Sequence, residues 1–279
     1  MSDSIAPTVT LDREVTMPTI GFGTAHLTDE TAARAVEEAF AAGYRKVDTA
    51  TAYTNETGVG RAIARSGLPR DEVFITTKVW NDDQGIDAVR PALLASLDRL
   101  ALDHVDLYLL HWPAAALGLF VQSYEVLEQL RDEGLTRAIG VSNFQPDHLR
   151  QLLSATTVTP AVNQIELHPY LQQRELRALH AELGIVTEAW SPLGQGTLLD
   201  EPVLLDIARN RGLTAAQVVL AWHLQRGTTV TPRSQHPTRI RTNLATLDIA
   251  PLHDDDLSAI DQLDRDHRLG PHPDEFDGR

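Results

Sequence analysis

Short apolar runs rich in Val, Ile, Tyr and Thr recur eight times along this chain, each followed by a longer segment of helical periodicity. The runs cover residues 20–25, 44–50, 73–80, 104–112, 136–143, 161–167, 185–192 and 228–234. Helical patterns cover, among others, residues 30–42, 87–100, 124–132 and 175–183. Thr214 and Gln217 have capping-box spacing at the start of another helix over 215–225, and Pro237 stands where a first-turn proline opens the last. Strands that alternate with helices pair in parallel through right-handed crossovers. Eight such units in about 250 residues are the size of a closed α/β architecture, the (β/α)8 TIM barrel. An open doubly wound sheet competes, but it would divide the chain, and no Pro/Gly/Ser linker marks a division. Residues 1–279 therefore read as one domain. An N-terminal β-hairpin over 8–18, turning at Asp12-Arg13, precedes the barrel, and an extra C-terminal helix follows Pro251.

Composition narrows the function classes. The 279 residues carry 24 basic and 39 acidic side chains, a formal charge of −15. That argues against a nucleic-acid surface, which needs a basic face, and against anionic lipid. There is no cysteine, so disulfides, thiolate metal sites and a cysteine nucleophile are excluded. Asp3 and Asp12 stand where a leader would be basic and then apolar, so no signal peptide is expected. Residues 107–124 lack charge, but Pro113, Gly118 and a His-Trp pair break the stretch, which rejects a membrane span. The expectation is a cytoplasmic monomer acting on a small molecule, with neither nucleic acid nor membrane as partner.

Residues at the C-terminal ends of barrel strands face the active site. Those ends are Asp48 with Tyr53 just beyond, Lys78 with Trp80, His111 with Trp112, Ser142-Asn143, Asn163-Gln164, Trp190-Ser191 and Arg233-Ser234. Of the 24 basic residues only Lys46 and Lys78 are lysine. A lysine differs from an arginine in being a compact charge able to lower the pKa of a neighbouring tyrosine. Taken singly, Lys78 with Asp48 is equally a structural salt bridge, His111 a satisfied core histidine and Tyr53 a packing aromatic. Together they place an acid, a cation, a phenol and an imidazole on neighbouring strand ends, a set suited to protonating a carbonyl oxygen. Trp80, Trp112 and Trp190 read as pocket walls, and Trp222 as core.

From Asp206 to Asp248 no acid intervenes, but six arginines do: Arg209, Arg211, Arg226, Arg233, Arg239 and Arg241. Arg233, Ser234 and Arg239 bracket the last strand end and the next helix start, where this barrel commonly binds phosphate. Arg209 and Arg211 read as solvated helix surface. The Gly-x-Gly pairs lack the third glycine of a dinucleotide fingerprint. No clustered histidine set marks a metal. Gly140-Val-Ser142-Asn-Phe144 misses the nucleophile elbow.

At these residues the chain resembles the aldo-keto reductase superfamily, and within it the short bacterial members of the 2,5-diketo-D-gluconate reductase type. The matching motifs are Val47-Asp48-Thr-Ala-Thr-Ala-Tyr53-Thr-Asn55-Glu56, Thr77-Lys78, Asp106-Leu-Tyr-Leu-Leu-His111-Trp112-Pro, Gly140-Val-Ser142-Asn143-Phe, Val162-Asn163-Gln164-Ile-Glu166-Leu-His168-Pro and Ser191-Pro-Leu-Gly-Gln-Gly196. The resemblance implies NADPH-dependent reduction of aldehydes and activated ketones, such as dicarbonyls and keto sugars. It makes Asp48, Tyr53, Lys78 and His111 the catalytic tetrad, with Tyr53 as general acid. Ser142, Asn143 and Gln164 match residues that hold the nicotinamide carboxamide, and Trp190 the aromatic that stacks on the ring. Ser191, Leu193, Gly194 and Gln195 match the loop along the pyrophosphate. Arg233, Ser234, Arg239 and Asn243 match the adenosine end. Some members bind NADPH and serve as accessory subunits, so that class stays open beside the enzyme. A hydrolase or isomerase using His111 would need no nicotinamide. Three departures stand out: Arg233 replaces a usual lysine, Ala25 replaces an aromatic in the pocket wall, and the loop after Pro113 and the tail after Gly270 are short.

Overall fold

A computed structural model describes residues 7–278, which leaves Asp3 outside the described residues. The hairpin comes first: β1 (Thr8–Thr10) and β2 (Thr16–Pro18) pair antiparallel, Thr8 opposite Pro18, around a turn at Asp12–Glu14. The eight expected strands follow as β3 (Phe22–Gly23), β4 (Lys46–Asp48), β5 (Phe74–Val79), β6 (Val105–Leu110), β7 (Thr136–Ser142), β8 (Val162–Glu166), β9 (Val186–Trp190) and β10 (Thr229–Val230). Each pairs in parallel with the next. A parallel bridge from Ile20 to Val230 joins the first to the last, with the Gly21 N–H on the Val230 carbonyl at 2.8 Å. The sheet is a closed barrel.

The first and last strands are shorter than their apolar runs. Pro232 has no N–H to donate, which ends the last ladder. The Thr24 carbonyl instead accepts the Leu27 N–H at 3.1 Å, turning the chain away from the sheet.

Helices α1 (Asp29–Ala42), α2 (Glu56–Ser66), α3 (Val89–Leu100), α4 (Phe120–Asp132), α5 (Pro146–Ala155) and α6 (Arg174–Leu183) each follow one strand. Two helices, α7 (Pro202–Arg211) and α8 (Ala215–Gln225), follow β9. The barrel therefore carries one helix there beyond the simple alternation. Helices α9 (Pro237–Leu244) and α10 (Asp254–Asp261) complete the order, the latter being the expected C-terminal addition. The Thr214–Gln217 capping box forms in both directions, at 3.2 and 3.1 Å, and Pro237 opens α9. No described helix is long and apolar enough to cross a membrane.

Strand side chains alternate between the helix layer and the barrel interior. On β6, Tyr108 and Leu110 pack outward against the helices, and Leu107 and Leu109 pack inward with Phe74, Ala138 and Val162. Leu11, Val15 and Met17 of the hairpin join that inner cluster and plug the barrel floor. The same alternation turns Val47, Val79, Ile165 and Ala189 outward into the helix-facing core. It therefore turns Lys46, Asp48, Lys78, Gln164 and Glu188 inward, and all five are buried.

Candidate active site

Asp48, Tyr53, Lys78 and His111 meet at the C-terminal mouth of the barrel. Lys78 Nζ donates to Asp48 Oδ1 at 2.7 Å and to the Thr49 carbonyl at 3.0 Å, and lies 3.4 Å from Tyr53 Oη. The Tyr53 ring meets the His111 ring edge-on at 5.6 Å, and Trp80 meets His111 at 5.0 Å. Tyr53 sits on a short turn after β4, and the adjoining Asn55 ties that turn to the loop after β3. Asn55 Nδ2 donates to the carbonyls of Thr24 at 2.8 Å and Leu27 at 3.0 Å, and its Oδ1 accepts from Thr49 at 2.9 Å.

Burial governs the charges here. For Lys78 burial opposes the ammonium, but the Asp48 carboxylate and the Tyr53 oxygen outweigh it and hold its pKa above the usual amine value. Asp48 is raised, first by burial and then by the Glu188 charge, with Lys78 opposing between them. Burial also raises the Tyr53 phenol, and the Lys78 charge opposes that rise without cancelling it. The lysine thus pulls in the expected direction, yet the phenol ends above its ordinary value because desolvation is the larger effect. His111 is held well below the usual imidazole range, by burial and then by the Lys78 charge, so its ring is neutral. The mouth holds one neutral phenol beside one ammonium, an arrangement able to give a proton and stabilise the phenolate left behind.

The next three strand ends form a hydrogen-bonded shelf. Ser142 Oγ donates to the Gln164 carbonyl at 2.7 Å, and the Asn143 N–H donates to the same oxygen at 2.9 Å. Asn143, at φ 65°, sends Nδ2 to the His111 carbonyl at 3.0 Å and to Ser142 Oγ at 3.1 Å. Trp190 Nε1 donates to Asn143 Oδ1 at 2.8 Å, which fixes the half-buried indole. Gln164 Nε2 donates to Asp48 Oδ2 and to Glu188 Oε1, both at 2.8 Å. Beyond the shelf, Ser191, Gly194 and Gln195 have φ of 47°, 53° and 53°, so the chain after β9 coils tightly past Leu193 at the rim.

The structure sorts the six arginines. Arg209, Arg211, Arg226 and Arg241 pair with Asp206, Asp256, Asp261 and Glu38. Arg233 and Arg239 are exposed, and among the described residues neither has an acidic partner. Ser234 lies beside Arg233 and accepts the His236 N–H at 3.1 Å, and Asn243 is buried in α9. This rim, with the shelf and the fixed indole, fits a long anionic cofactor bearing a flat ring at one end. Among the described residues no group of three His, Asp or Glu could hold a metal.

Trp80 is half-buried against the His111 ring, Trp112 is buried on the next strand end, and Ala25 lies half-buried on the first loop. Trp222 is fully buried. Three features were not anticipated. Phe276, in the short tail, packs on Trp112 at 4.5 Å and on Trp80 at 6.2 Å, so the tail adds a wall despite its length. The tail is pinned by Glu166, whose carboxylate accepts the N–H groups of Leu269 at 2.6 Å and Gly270 at 2.9 Å. A Cβ at Gly270 would stand 2.6 Å from the Trp190 indole, so only glycine lets the tail pass. Lys46, fully buried, forms an ion pair with Glu188 inside the barrel.

Fold and site define a (β/α)8 oxidoreductase. The sequence pattern of the aldo/keto reductase family matches residues 19–265, and this chain belongs to that family. It is 51% identical over 271 residues to an aldo-keto reductase of Mycobacterium sp. (strain KMS), covering 97% of this chain and 98% of that one. It is 47% identical over 264 residues to the methylglyoxal reductase DkgA of Escherichia coli (strain K12), covering 94% and 95%. A variant of Gox0644 solved in complex with NADPH superimposes with a TM-score of 0.93 at 42% identity, covering 97% of this chain and 98% of that one.

Proposed function

We propose that this protein reduces aldehydes and activated ketones, dicarbonyls and keto sugars among them, to alcohols with NADPH, and that Tyr53 is the general acid. One observation carries the reading: Lys78 Nζ stands between Asp48 and the Tyr53 hydroxyl, at 2.7 and 3.4 Å, in a mouth walled by His111, Trp80 and Trp112. NADPH, when bound, supplies a hydride to the carbonyl carbon. Tyr53 Oη gives its proton to the carbonyl oxygen as the negative charge develops there. Lys78, held charged by Asp48, stabilises the resulting phenolate, which regains a proton from solvent. The neutral His111 ring beside Tyr53 orients the carbonyl. Gln164 and Ser142 offer acceptors for a carboxamide, because the hydrogens of Ser142 Oγ and Gln164 Nε2 are already donated within the protein. The Trp190 indole, fixed through Asn143, offers a stacking face, and Ser191, Leu193, Gly194 and Gln195 follow the pyrophosphate. Arg233, Ser234, Arg239 and Asn243 receive the adenosine end, the exposed cations Arg233 and Arg239 selecting the 2′-phosphate.

The test is a panel of carbonyl substrates, methylglyoxal included, with NADPH and with NADH. The reading expects loss of reduced-nicotinamide absorbance with several dicarbonyls and a preference for NADPH. Tight NADPH binding without turnover would make the protein an accessory module instead. Activity with no nicotinamide would overturn the reading altogether.

A further inference from the structure

The two lysines of the chain lie inside the same barrel, and only one touches Tyr53. Lys46 leaves β4 two residues before Asp48, on the same face, and crosses the barrel to Glu188 on β9. Its stem runs along Gly21, where a Cβ would come within 2.9 Å of Lys46 Cγ and Cδ, so glycine at that position keeps the path open. Glu188 Oε2 also accepts from Thr229 Oγ1 at 3.0 Å, and Oε1 accepts from Gln164 Nε2 at 2.8 Å. The second hydrogen of Gln164 Nε2 goes to Asp48 Oδ2 at 2.8 Å. A continuous chain of contacts, buried as far as Lys78, therefore runs from Lys46 through Glu188, Gln164, Asp48 and Lys78 to the half-buried Tyr53. Four of its six members are charged and the other two bond to those charges, in a place where an ion pair gains little over apolar packing.

An amide can sit either way round, and its neighbours decide which. Ionised carboxylates only accept, so two of them on one amide both demand its NH2 end. We propose that Lys46 and Glu188 are positioning residues for the cofactor: they lock the Gln164 amide with Nε2 inward, leaving Oε1 to accept from the carboxamide NH2 of nicotinamide. The inference rests on the reading that Gln164 faces the nicotinamide. Lys46 keeps Glu188 an acceptor, since burial alone would favour a protonated acid; the Lys46 charge, with Gln164 and Thr229, outweighs burial and holds Glu188 below the usual carboxylate range. A protonated Glu188 would become a donor toward Gln164 and remove one of the two reasons for its orientation.

The lock is tested by binding rather than turnover, using NADPH and its 3-acetylpyridine analogue, in which acetyl replaces the carboxamide and no NH2 is present. Dissociation constants are read from quenching of tryptophan fluorescence, and thermal midpoints report the fold. The wild-type protein is expected to prefer NADPH by roughly three- to tenfold, the worth of one hydrogen bond. Lys46→Met combined with Glu188→Leu removes both charges at once, a replacement a buried pair commonly tolerates. With only Asp48 as anchor the amide pivots, and the preference shrinks severalfold while the protein stays folded. In Glu188→Gln the Lys46 ammonium claims the new carbonyl, so the new NH2 faces Gln164 and turns its amide round; the preference is then lost. Glu188→Gln carries the test alone if the double variant does not fold. An unchanged preference in the folded variants overturns the lock and leaves the Gln164 contact standing. A wild-type protein without any preference removes Gln164 from the nicotinamide and overturns both.

Discussion

Two regions of the barrel interior are filled in opposite ways. At the floor, Phe74, Leu107 and Val162 pack on Leu11, Val15 and Met17 of the hairpin, with no charge among them. Toward the mouth the sheet turns Asp48, Lys78, Gln164 and Glu188 into an equally buried space. The floor follows from apolar surface leaving water, at roughly 25 cal/mol per Å2. The upper region forgoes much of that gain and accepts desolvation of two ion pairs, repaid only through close hydrogen bonds. The difference supports the proposed site: the charge is buried at the strand ends, where such barrels hold their reactive groups, while leucine and methionine pack the opposite end.

Substitutions in the two regions should therefore separate stability from turnover. The largest effect is expected from Lys78→Met, which leaves Asp48 buried without its cation and Tyr53 without a neighbouring charge. Turnover with methylglyoxal should fall by about a thousandfold, measured under saturating NADPH; a loss under tenfold would break the contrast. Leu107→Ala, at the floor, should cost about 2–5 kcal/mol of stability in a denaturant titration while leaving NADPH affinity unchanged. Weakened cofactor binding at wild-type stability would mean that the floor is part of the site. Arg233→Ala with Arg239→Ala removes two charge-assisted contacts, each worth about 1.5–3 kcal/mol, from NADPH but not from NADH. Equal losses for both cofactors would place the phosphate elsewhere. A smaller change is expected at the pocket wall: Phe276→Ala should raise KM for bulky carbonyls severalfold, as loss of aromatic pairs worth about 0.5–1.5 kcal/mol implies, with kcat retained.

The pH profile sharpens the same contrast. On the proposal that Tyr53 is the general acid it must carry its proton to act, and burial holds its pKa above the ordinary phenol value. Reduction should therefore be constant through neutrality and decline only in strongly alkaline solution, as the phenol ionises. His111 lies well below the imidazole range, so no limb should occur near pH 6.5. A limb there would show that His111 exchanges its proton during turnover.

The barrel was legible in the sequence because eight apolar runs alternate with helical segments, and each strand ends within two residues of its run's end except the last, which stops at Val230, four residues short. That was enough to bring Asp48, Lys78 and His111 to one mouth, since strand ends of a barrel converge whatever the loops do. Scarcity of lysine also pointed at Lys78. The same scarcity marked Lys46, but nothing local names Glu188 as its partner across the barrel. Phe276 escaped notice for a related reason: it lies in a polar tail, and its position over Trp112 depends on Glu166 capturing two backbone N–H groups more than a hundred residues away. The direction of the Tyr53 shift depended on how deeply the phenol is buried, which spacing does not encode. Short-range alternation is written in neighbouring residues; contacts across the barrel belong to the closed structure.

The central claim is that Tyr53 protonates a carbonyl reduced by bound NADPH. It is tested most directly by comparing wild-type protein with Tyr53→Phe, following NADPH absorbance with methylglyoxal and cofactor binding by tryptophan quenching in the same samples. The account predicts that the phenylalanine variant binds NADPH as the wild type does and loses turnover by at least about a hundredfold, the lower end of general-acid contributions. Turnover retained at full cofactor binding would contradict it.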